Sequence, residues 1–368
     1  MEHLLLPAVL LLLAAYASLV FVLYRGARPV TGTAPVRGTG ISVIIAARNE
    51  AERLPRLLTS LGALTYPRER FEVIVVDDRS EDDTAERAER FRTEIPSLQI
   101  IRLRTNESGM PHKKNALRHG IAAAAHPLLV FTDADCTVPP GWLDSLAAAF
   151  DSGADVVAGY SPNGEGAPPL LASYLHHEEM MNSVIAAGAA GNGTAFMCTG
   201  RNFAYRRSVY DAAGGFDAVT QSISGDDDLF LQHLRANVTQ RIVYWTAPES
   251  FVETEPPRSL SSFIGQRVRH ISASKHYPFA VNAAFAAGHL HLLFTLLLLF
   301  VQPLYGIVSL LGRINADAAL AVRGEALFGR RSGIVEFFRN ELLSFAYVLF
   351  IGPAGLLARF SWKGTSSR

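Results

Sequence analysis

Short apolar runs that alternate with helical patterns limit the fold of this chain more than any other feature. Each run suits a buried strand, and the patterns between them repeat apolar residues at helical spacing. The runs occupy residues 41–47, 71–78, 98–103 and 127–135. Their order predicts an α/β domain with a mostly parallel sheet. Ligands of such sheets bind beyond the carboxyl ends of the strands, so the residues that end each run are candidates for a site.

Charged and polar residues end three of these runs. In chain order they are Arg48, Asn49 and Glu50, then Asp77 and Asp78, then Asp133 and Asp135. Carboxylates at an i, i+2 spacing can hold a hard divalent cation, and Mg²⁺ or Mn²⁺ would bridge the oxygens of a diphosphate. Asp133 and Asp135 have this spacing, so we predict that they bind the metal. A solvated turn is the alternative interpretation, because a lone Asp-x-Asp is a weak motif.

Two further groups suit other parts of a nucleotide. A carboxylate of Asp77 or Asp78 can accept a hydrogen bond from the imide N–H of uracil, although acids at a helix start also interact favourably with the helix dipole. Lys113 and Lys114 follow a Gly-Met-Pro turn, where a point charge can meet phosphate oxygens. We expect Lys113 to have that role. These residues predict a site for a nucleoside diphosphate.

A membrane-length apolar segment precedes this domain. With 49% hydrophobic and 18% charged residues among its 368, the chain is richer in apolar side chains than an ordinary soluble protein. Residues 4–24 are uncharged and close to the roughly 20 residues that cross a hydrocarbon core. The run is longer than the core of a signal peptide, so we predict an anchor over residues 1–28 rather than a cleaved signal. Arg25, Arg28 and Arg37 follow, which favours a cytosolic position for the next domain.

The C-terminal part, residues 281–368, is predicted to be a second membrane region. Apolar blocks lie at residues 283–311 and 342–357. Gln302 and Pro303 interrupt the first block, which permits either one kinked helix or a helical hairpin. The segment between the blocks carries Arg313, Arg323, Arg330 and Arg331. These arginines indicate a cytosolic segment and favour a hairpin or a re-entrant first block over a simple span.

Charge and cysteine content exclude other classes of protein. The 34 basic and 34 acidic residues cancel, so no overall field attracts nucleic acid. Cys136 and Cys198 are too few for a secreted disulfide framework and lack the spacing of metal ligands. We therefore expect no nucleic-acid partner and a reducing compartment.

A series of motifs in a fixed order resembles a known family. The segments are SVIIAARNE, VIVVDDRS, KKNAL, FTDAD, Gly-Gly-Phe-Asp at 214–217, GDDDLFLQHL at 225–234 and QRVRH at 266–270. Together they resemble the inverting family-two glycosyltransferases of the GT-A fold, which include cellulose, chitin and hyaluronan synthases and dolichyl-phosphate sugar transferases. The resemblance covers residues 41–276 and implies a nucleotide-sugar donor. It also implies a divalent metal on Asp135 with help from Asp133, and nucleoside contacts from Asp78 and residues 48–50.

The resemblance further implies a general base in the acidic segment of the GDDDLFLQHL motif. In the family the base aspartate is followed by apolar residues three and seven positions later, on one helix face. Counting from Asp227, these residues are Phe230 and Leu234. Counting from Asp226, the second of them is a histidine, so Asp227 is the first candidate and Asp226 the second. The base would take the proton of an acceptor hydroxyl as that oxygen attacks the anomeric carbon, which inverts the configuration.

The QRVRH segment resembles part of the acceptor side of the family. Gln266, Arg269 and His270 keep the spacing of the Gln-x-x-Arg-Trp signature, with His in the aromatic position. They fall within about one helical turn, so we expect one polar face toward the diphosphate and the acceptor. This face would belong to an amphipathic interfacial helix over residues 259–280, although a basic helix before a span is also typical of a plain interfacial anchor. Its lipid-facing side is expected to contain Phe263 and Val268.

The segment at 196–207 resembles the acceptor-side strand of these enzymes. Gly200 and Asn202 are therefore candidates for lining the acceptor cleft. The glycine-rich stretch at 186–193, just before this segment, is expected to be a mobile loop.

These expectations combine into one functional prediction. Residues 38–258 are expected to be the GT-A domain of a metal-dependent inverting hexosyltransferase. It would move a sugar from a nucleotide-sugar, with UDP as the favoured nucleotide, to a membrane lipid or a lipid-linked glycan. The protein is expected in the cell (inner) membrane as a multi-pass protein with a cytoplasmic catalytic domain. A processive polysaccharide synthase subunit, a catalytically silent membrane scaffold and a nucleotidyltransferase are the alternatives.

Overall fold

The computed structural model describes residues 2–32, 38–106, 109–357, 361–362 and 365–366, so Arg37 lies outside the described residues. The strands are β1 (Ile41–Ala47), β2 (Phe71–Asp78), β3 (Leu98–Leu103), β4 (Leu128–Phe131), β5 (Cys136–Thr137), β6 (Val156–Gly159), β7 (Phe203–Arg206), β8 (Ile242–Trp245), β9 (Glu253–Thr254), β10 (Ser361–Trp362) and β11 (Thr365–Ser366). The helices are α1 (Glu2–Gly26), α2 (Leu54–Gly62), α3 (Thr84–Glu89), α4 (His112–Ala123), α5 (Trp142–Asp151), α6 (Pro169–Gly191), α7 (Arg207–Ala212), α8 (Asp228–Asn237), α9 (Leu260–Ser272), α10 (Phe279–Val301), α11 (Pro303–Phe328), α12 (Ile334–Ala346) and α13 (Gly352–Leu357).

The chain packs as two compact units. The sheet unit consists of Pro29–Gly166 and Gly193–Pro256. The helical unit consists of Met1–Arg28, Ala167–Asn192 and Pro257–Arg368. Because α6 groups with the helical unit, the sheet unit is built from two separate stretches of chain.

Among the described residues, a seven-stranded sheet in the order β3-β2-β1-β4-β7-β6-β8 forms the centre of the sheet unit. β7 runs antiparallel to β4 and β6, whereas the other neighbouring pairs are parallel. The predicted mostly parallel α/β sheet is therefore confirmed. The register pairs Ala47 with Asp77 and Ile44 with Phe131. The carboxyl ends of β1, β2 and β4 consequently lie along one edge.

The two central strands explain why their sequences read as continuous apolar runs. β1 and β2 are buried on both faces, as parallel strands covered by helices usually are. Their polar exceptions satisfy each other, since Ser42 Oγ donates a hydrogen bond of 2.7 Å to Glu72 Oε1. The leucines of α2 join β1 in the main core. α4 approaches β1 closely at Gly120, where a Cβ would lie 2.5 Å from Ile44 Cγ2.

In the helical unit, α10 and α11 form a helical hairpin about Gln302. The hydroxyl oxygens of Thr295 and Ser309 are 2.7 Å apart, and Arg313 donates to the carbonyl of Gly288 at 2.9 Å. Later residues of α11 thus meet earlier residues of α10, as in an antiparallel pair. The hairpin is therefore the correct one of the two alternatives for the first apolar block.

Among the described helices, three are long and apolar enough to cross a membrane. They are Leu6–Gly26, Phe279–Val301 and Pro303–Phe328. The predicted block at 342–357 is not one of them, because it is divided between α12, a π-helical turn at Tyr347–Ile351 and α13.

The interval between the two apolar blocks is mostly helical, and its cytosolic position stays a prediction. α11 extends to Phe328, so Arg313 and Arg323 lie inside this helix and not in a connecting segment. Arg330 and Arg331 follow α11 and do lie in the connection to α12.

The predicted interfacial helix over residues 259–280 is shorter and differently oriented. α9 ends at Ser272, and α10 begins at Phe279. Phe263 and Val268 are buried, so the expectation that they face lipid is wrong. Phe263 instead packs edge-on against Tyr174 of α6, with 5.8 Å between the ring centroids.

The glycine-rich stretch before residue 193 is helical and not a loop. α6 continues to Gly191, and the glycines lie where α1 approaches. A Cβ on Gly188 would lie 2.3 Å from the carbonyl oxygen of Leu23. These glycines are therefore needed for close helix packing, which explains their presence inside a helix.

Candidate active site

Lys113, on the first turn of α4, joins two acidic groups that are distant in the sequence. Its Nζ lies 2.9 Å from Asp133 Oδ1, beyond the end of β4, and 2.9 Å from Asp226 Oδ2, just before α8. Burial by itself would lower the pKa of Lys113. The carboxylates of Asp133, Asp226 and Asp227 outweigh that effect and raise its pKa, so the side chain is an ammonium. The fold thus brings Asp133, one of the two predicted metal-binding acids, and the predicted base segment to one cation.

Asp227 is held by main-chain groups. It is the N-cap of α8, where its Oδ1 accepts from the N–H of Asp228 at 2.8 Å. Its Oδ2 accepts from the N–H of Gly200 at 2.9 Å. Burial raises the pKa of Asp227, and the neighbouring charge of Asp226 adds to that increase. Asp227 therefore ties the acidic segment to the chain that leads into β7.

Gly200 lies against this cluster. A Cβ at this position would be 3.4 Å from Asp226 Oδ2, from Asp227 Oδ2 and from Lys113 Nζ. A small cavity of about 10 Å³, close to the space that one water molecule needs, opens beside it. Its polar wall is Lys113, Thr132, Asp133, Gly200 and Asp226, and its apolar and aromatic wall is Leu117, Phe131, Phe203, Tyr205 and Phe216. The cavity therefore has one polar wall and one apolar wall.

Asp135 is connected to the loop that follows β1. The N–H of Glu255 donates to the carbonyl of Asp135 at 3.1 Å, and Arg53 bridges Glu255 (2.9 Å) and Glu50 (3.2 Å). Burial raises the pKa of the Asp135 carboxyl, and the charge of Asp133 raises it further. A carboxylate in that position is stabilised by any cation that binds it.

The residues fit a metal ion only in combination with other ligands. In the part of the chain that the structure describes, no three His, Cys, Asp or Glu side chains are grouped to hold a metal by themselves. Asp133 and Asp135 offer hard carboxylate oxygens, and one oxygen of Asp133 contacts Lys113. The pair suits Mg²⁺ or Mn²⁺ when phosphate oxygens or water complete the coordination.

The loops that follow β1 and β2, where nucleoside contacts are predicted, form a corner that hydrogen bonds hold together. Asn49 donates its N–H to Ser80 Oγ at 2.9 Å and accepts the N–H of Glu81 at 2.8 Å, which links the two loops. Asn49 and Arg79 have φ of 54° and 55°, a left-handed conformation that non-glycine residues adopt at a cost and that clusters at functional sites. Arg48, Glu50 and Asp77 lie in the same corner, and Asp77 Oδ1 accepts the N–H of Ser80 at 3.2 Å.

Asp78 connects this corner to α4. Its two oxygens accept from Arg79 Nε at 2.8 Å and from the Arg79 Nη2 group at 3.1 Å. His112 Nδ1, next to Lys113 in the chain, lies 3.8 Å from Asp78 Oδ2. The sequence reasoning did not select Arg79 or His112, although the VIVVDDRS motif and the start of α4 point to both. Asp78, Arg79, His112, Lys113 and Asp226 together form a polar strip, in which His112 and Lys113 are neighbours in the chain.

Asn202 does not line an open cleft, which corrects the sequence prediction. It is only 1% exposed. Its Nδ2 donates to the carbonyls of Tyr160 at 2.9 Å and Ser250 at 2.7 Å, and its Oδ1 accepts from Trp142 Nε1 at 3.2 Å. These bonds satisfy the amide inside the sheet unit, so its role is structural.

The QRVRH segment lies on α9 of the helical unit. Arg267 is buried there and forms a double hydrogen bond with Glu178 of α6, at 2.7 Å and 2.5 Å. This pair fixes the rotation of α9 about its axis. The contact of Arg269 Nη2 with His270 Nε2 at 3.0 Å lies on the exposed part of the helix. The role of Gln266, Arg269 and His270 toward a diphosphate stays a prediction.

Curated proteins that resemble this chain in sequence are glycosyltransferases and related synthases by name. The glycosyltransferase AglE of Haloferax volcanii is 30% identical over 192 residues, which are 51% of this chain and 58% of AglE. The beta-monoglucosyldiacylglycerol synthase of Synechocystis is 28% identical over 203 residues, which are 52% of this chain and 40% of the synthase. The chain thus spans about half the length of the curated relatives it matches.

The fold has a solved counterpart along almost its whole length. The mannosyltransferase PcManGT of Pyrobaculum calidifontis, determined in complex with GDP-Man and Mn²⁺, superposes with a TM-score of 0.60 at 20% identity. The superposition covers 96% of this chain and 99% of that structure. The sequence profile of glycosyl transferase family 2 matches residues 42–214. These residues therefore belong to glycosyl transferase family 2 and give the chain a glycosyltransferase domain with a GT-A-like fold.

Proposed function

We propose that this chain is a membrane-anchored, metal-dependent, inverting glycosyltransferase. Its donor would be a nucleotide-sugar, with UDP as the favoured nucleotide, and its acceptor a membrane lipid or a lipid-linked glycan. The contact of Lys113 with both Asp133 and Asp226 is the main support, because the residue proposed to bind the diphosphate lies beside a candidate base.

The donor side is expected to use the strip that begins at Asp78. Asp133 and Asp135 would hold a divalent cation, which would stabilise the negative charge on the departing nucleoside diphosphate. Lys113 would donate to phosphate oxygens of the same diphosphate as a point charge. Because PcManGT was determined with GDP-Man and Mn²⁺, a test of the donor needs GDP-sugars and Mn²⁺ beside UDP-sugars and Mg²⁺.

The acceptor side needs a base with an accessible oxygen. The sequence favours Asp227, and its raised pKa supports that choice. Two observations support Asp226 instead: it lines the cavity, and both oxygens of Asp227 already accept main-chain N–H groups. We propose Asp226 as the base and Asp227 as the residue that positions it.

The proposed reaction is one displacement at the anomeric carbon. Asp226 accepts the proton of the acceptor hydroxyl while that oxygen bonds to the anomeric carbon. The bond from this carbon to the phosphate oxygen breaks on the opposite face, and its electrons leave with the nucleoside diphosphate. Donor phosphates would compete with Asp226 for Lys113, so donor binding would weaken this ion pair and free the carboxylate oxygen for the acceptor hydroxyl.

The helical unit supports a membrane location with the sheet unit in the cytoplasm. α1 and α11 run parallel, since Tyr16 donates to Asp317 and, further along both helices near their ends, Arg323 donates to the carbonyl of Ala27. Basic residues cluster at that end of the hairpin and of α1, where the positive-inside rule predicts the cytoplasm. They are Arg25, Arg28, Lys275, Arg330 and Arg331. The name of the Synechocystis relative, a diacylglycerol-lipid synthase, also supports a lipid acceptor.

A transfer assay with the full-length protein in detergent tests this function. The protein is incubated with radiolabelled UDP- or GDP-sugars, Mn²⁺ or Mg²⁺ and extracted membrane lipids, and both released nucleoside diphosphate and lipid-bound label are measured. We expect one sugar per lipid, loss of activity with a chelator, and loss in Asp135→Asn. A ladder of long polymers would indicate a processive synthase, and release of pyrophosphate a nucleotidyltransferase. A folded protein without turnover for any donor would indicate a scaffold.

A further inference from the structure

Lys114, the neighbour of Lys113, is fully buried and holds the segment that leads to the acidic residues. Its exposure is 0%. Its Nζ donates to the carbonyls of Val219 and Ser222 at 2.7 Å each and to that of Ser224 at 2.9 Å. An ammonium has three N–H donors and no acceptor, so these three carbonyls satisfy it completely.

This arrangement makes the conformation of residues 219–224 depend on one side chain. A buried ammonium costs free energy unless each donor is hydrogen-bonded, so the segment and the lysine stabilise each other. The contacts are to main-chain carbonyls, so they fix the backbone regardless of the side chains there. The segment ends at Gly225, whose φ of 79° turns the chain into Asp226. The position of the Asp226 carboxylate therefore depends on where this segment lies.

The two lysines act on the same target from one helical turn. Lys113 pairs with the side chain of Asp226, whereas Lys114 binds the backbone that precedes it. We propose that Lys114 is the positioning residue that holds residues 219–226 in the geometry that sugar transfer requires. The inference rests on the function proposed above and adds to it the device that delivers the base.

The charge of Lys114 gives this device a pH dependence. Burial lowers the pKa of Lys114 to about 8. The charged groups around it are Asp226 and Asp227, which raise its pKa, and Lys113, which lowers it. A neutral amine keeps two N–H donors for three carbonyls, so the segment loosens above that pH. This loosening does not lower the free energy of unfolding. The pKa of Lys114 in the folded protein is below the unfolded value of about 10.4. Between these two pH values the unfolded chain binds more protons, so the contribution of Lys114 to stability increases with pH.

Hydrogen exchange tests the positioning without any need for activity. In the full-length Lys114→Met protein, amides of residues 219–228 are expected to exchange roughly tenfold faster than in wild type, while those of β1 and β2 stay unchanged. Arg118→Met, one turn later on α4, is the matched control, because Arg118 bonds to Asn115 of its own helix. Unchanged exchange in 219–228 would overturn the proposal.

Transfer kinetics test the consequence. We expect Lys114→Met to lower kcat by roughly 10²-fold with a donor KM within about twofold of wild type. Wild type is expected to lose transfer rate above pH 8 while nucleotide-sugar binding persists, and Lys114→Met to lack this alkaline decline. Equal kcat in the variant, or an alkaline decline that survives in it, would overturn the proposal.

Two precautions keep the result interpretable. If Lys114→Met does not fold, Lys114→Gln replaces it, since its amide keeps two N–H donors, and an intermediate effect on exchange is expected. If wild type shows no transfer while Lys114→Met accelerates exchange, the proposed function fails and the positioning stands. If wild type is active and the variant matches it in both assays, the positioning fails and the function stands.

Discussion

The ammonium of Lys113 lies 2.9 Å from the carboxylate of Asp226, although the two residues come from distant parts of the sheet unit's sequence. α4 supplies the lysine and the loop before α8 supplies the acid. The same ammonium contacts Asp133. A change at Lys113 therefore alters the charge on both sides of the candidate reaction centre at once.

Replacing Lys113 is expected to impair donor binding and chemistry together. Lys113→Met leaves Asp133 and Asp226 without their common cation, so like charges repel and the diphosphate loses a donor. We expect kcat/KM to fall by roughly 10²-fold or more, and Lys113→Arg to recover part of it. Steady-state kinetics and thermal shift with nucleoside diphosphate measure both effects. Unchanged nucleotide binding in Lys113→Met would contradict this role.

The two candidate bases are separable by their amide variants. If Asp226 is the base, Asp226→Asn lowers kcat by roughly 10²- to 10⁴-fold. Asp227→Asn is expected to lower kcat less, because an amide oxygen can still accept one of the two main-chain N–H groups. The reverse ranking of the two variants would assign the base to Asp227.

Gly200→Ala is expected to separate stability from activity. The new Cβ would have contacts of 3.4 Å, which the site can accommodate. Replacing Gly with Ala lowers the conformational entropy of the unfolded chain, which stabilises the folded protein by about 0.4–1 kcal/mol. The unfolding midpoint should thus stay or rise. Turnover should fall by roughly tenfold, since the methyl group crowds Lys113 and both acids. Gly62→Ala, with no atom nearer than 3.8 Å, is the control. Full activity of Gly200→Ala would show that the cavity is not used.

The ion pair of Arg267 and Glu178 is expected to stabilise the helical unit. Both side chains are less than one-tenth exposed, so Arg267→Met leaves a buried carboxylate unpaired and should cost about 3–5 kcal/mol. The double variant Arg267→Met with Glu178→Leu should regain much of that loss. Unfolding in detergent micelles, followed by circular dichroism, measures both. If the double variant were as unstable as Arg267→Met, the loss of stability would not come from the unpaired carboxylate of Glu178.

The strands were predictable because burial on both faces leaves a direct trace in the sequence. β1 and β2 consist of nearly unbroken apolar residues, and their ends point to Asp77, Asp78 and the loop after β1. The positions of Asp133 and Asp135 after β4 follow from the same reasoning. Which residues lie at this edge of the sheet can therefore be predicted from the local apolar pattern, because the pattern shows where each strand ends.

Contacts across long separations were not predictable in the same way. Nothing in the KKNAL segment indicates that one lysine meets Asp226 and the other a set of carbonyls. Glycines before residue 193 suggested flexibility, whereas Gly188 serves the close approach of α1. The resemblance of its segment to an acceptor-side strand suggested Asn202 as a cleft residue, but Asn202 is buried and makes three hydrogen bonds inside the sheet unit. Each of these contacts depends on a residue far away in the sequence, which the local sequence pattern does not identify.

The assignment of α6 to the helical unit has a practical consequence for anyone who wants a soluble fragment. α6 is encoded between two parts of the sheet unit, yet it packs with α1 and α11. Trimming the chain at residues 29 and 256 would keep α6 while deleting the helices that shield it. A fragment cut at these residues would therefore expose the apolar surface of α6 to solvent and would tend to aggregate. Replacing residues 167–192 with a short polar linker would avoid this exposure.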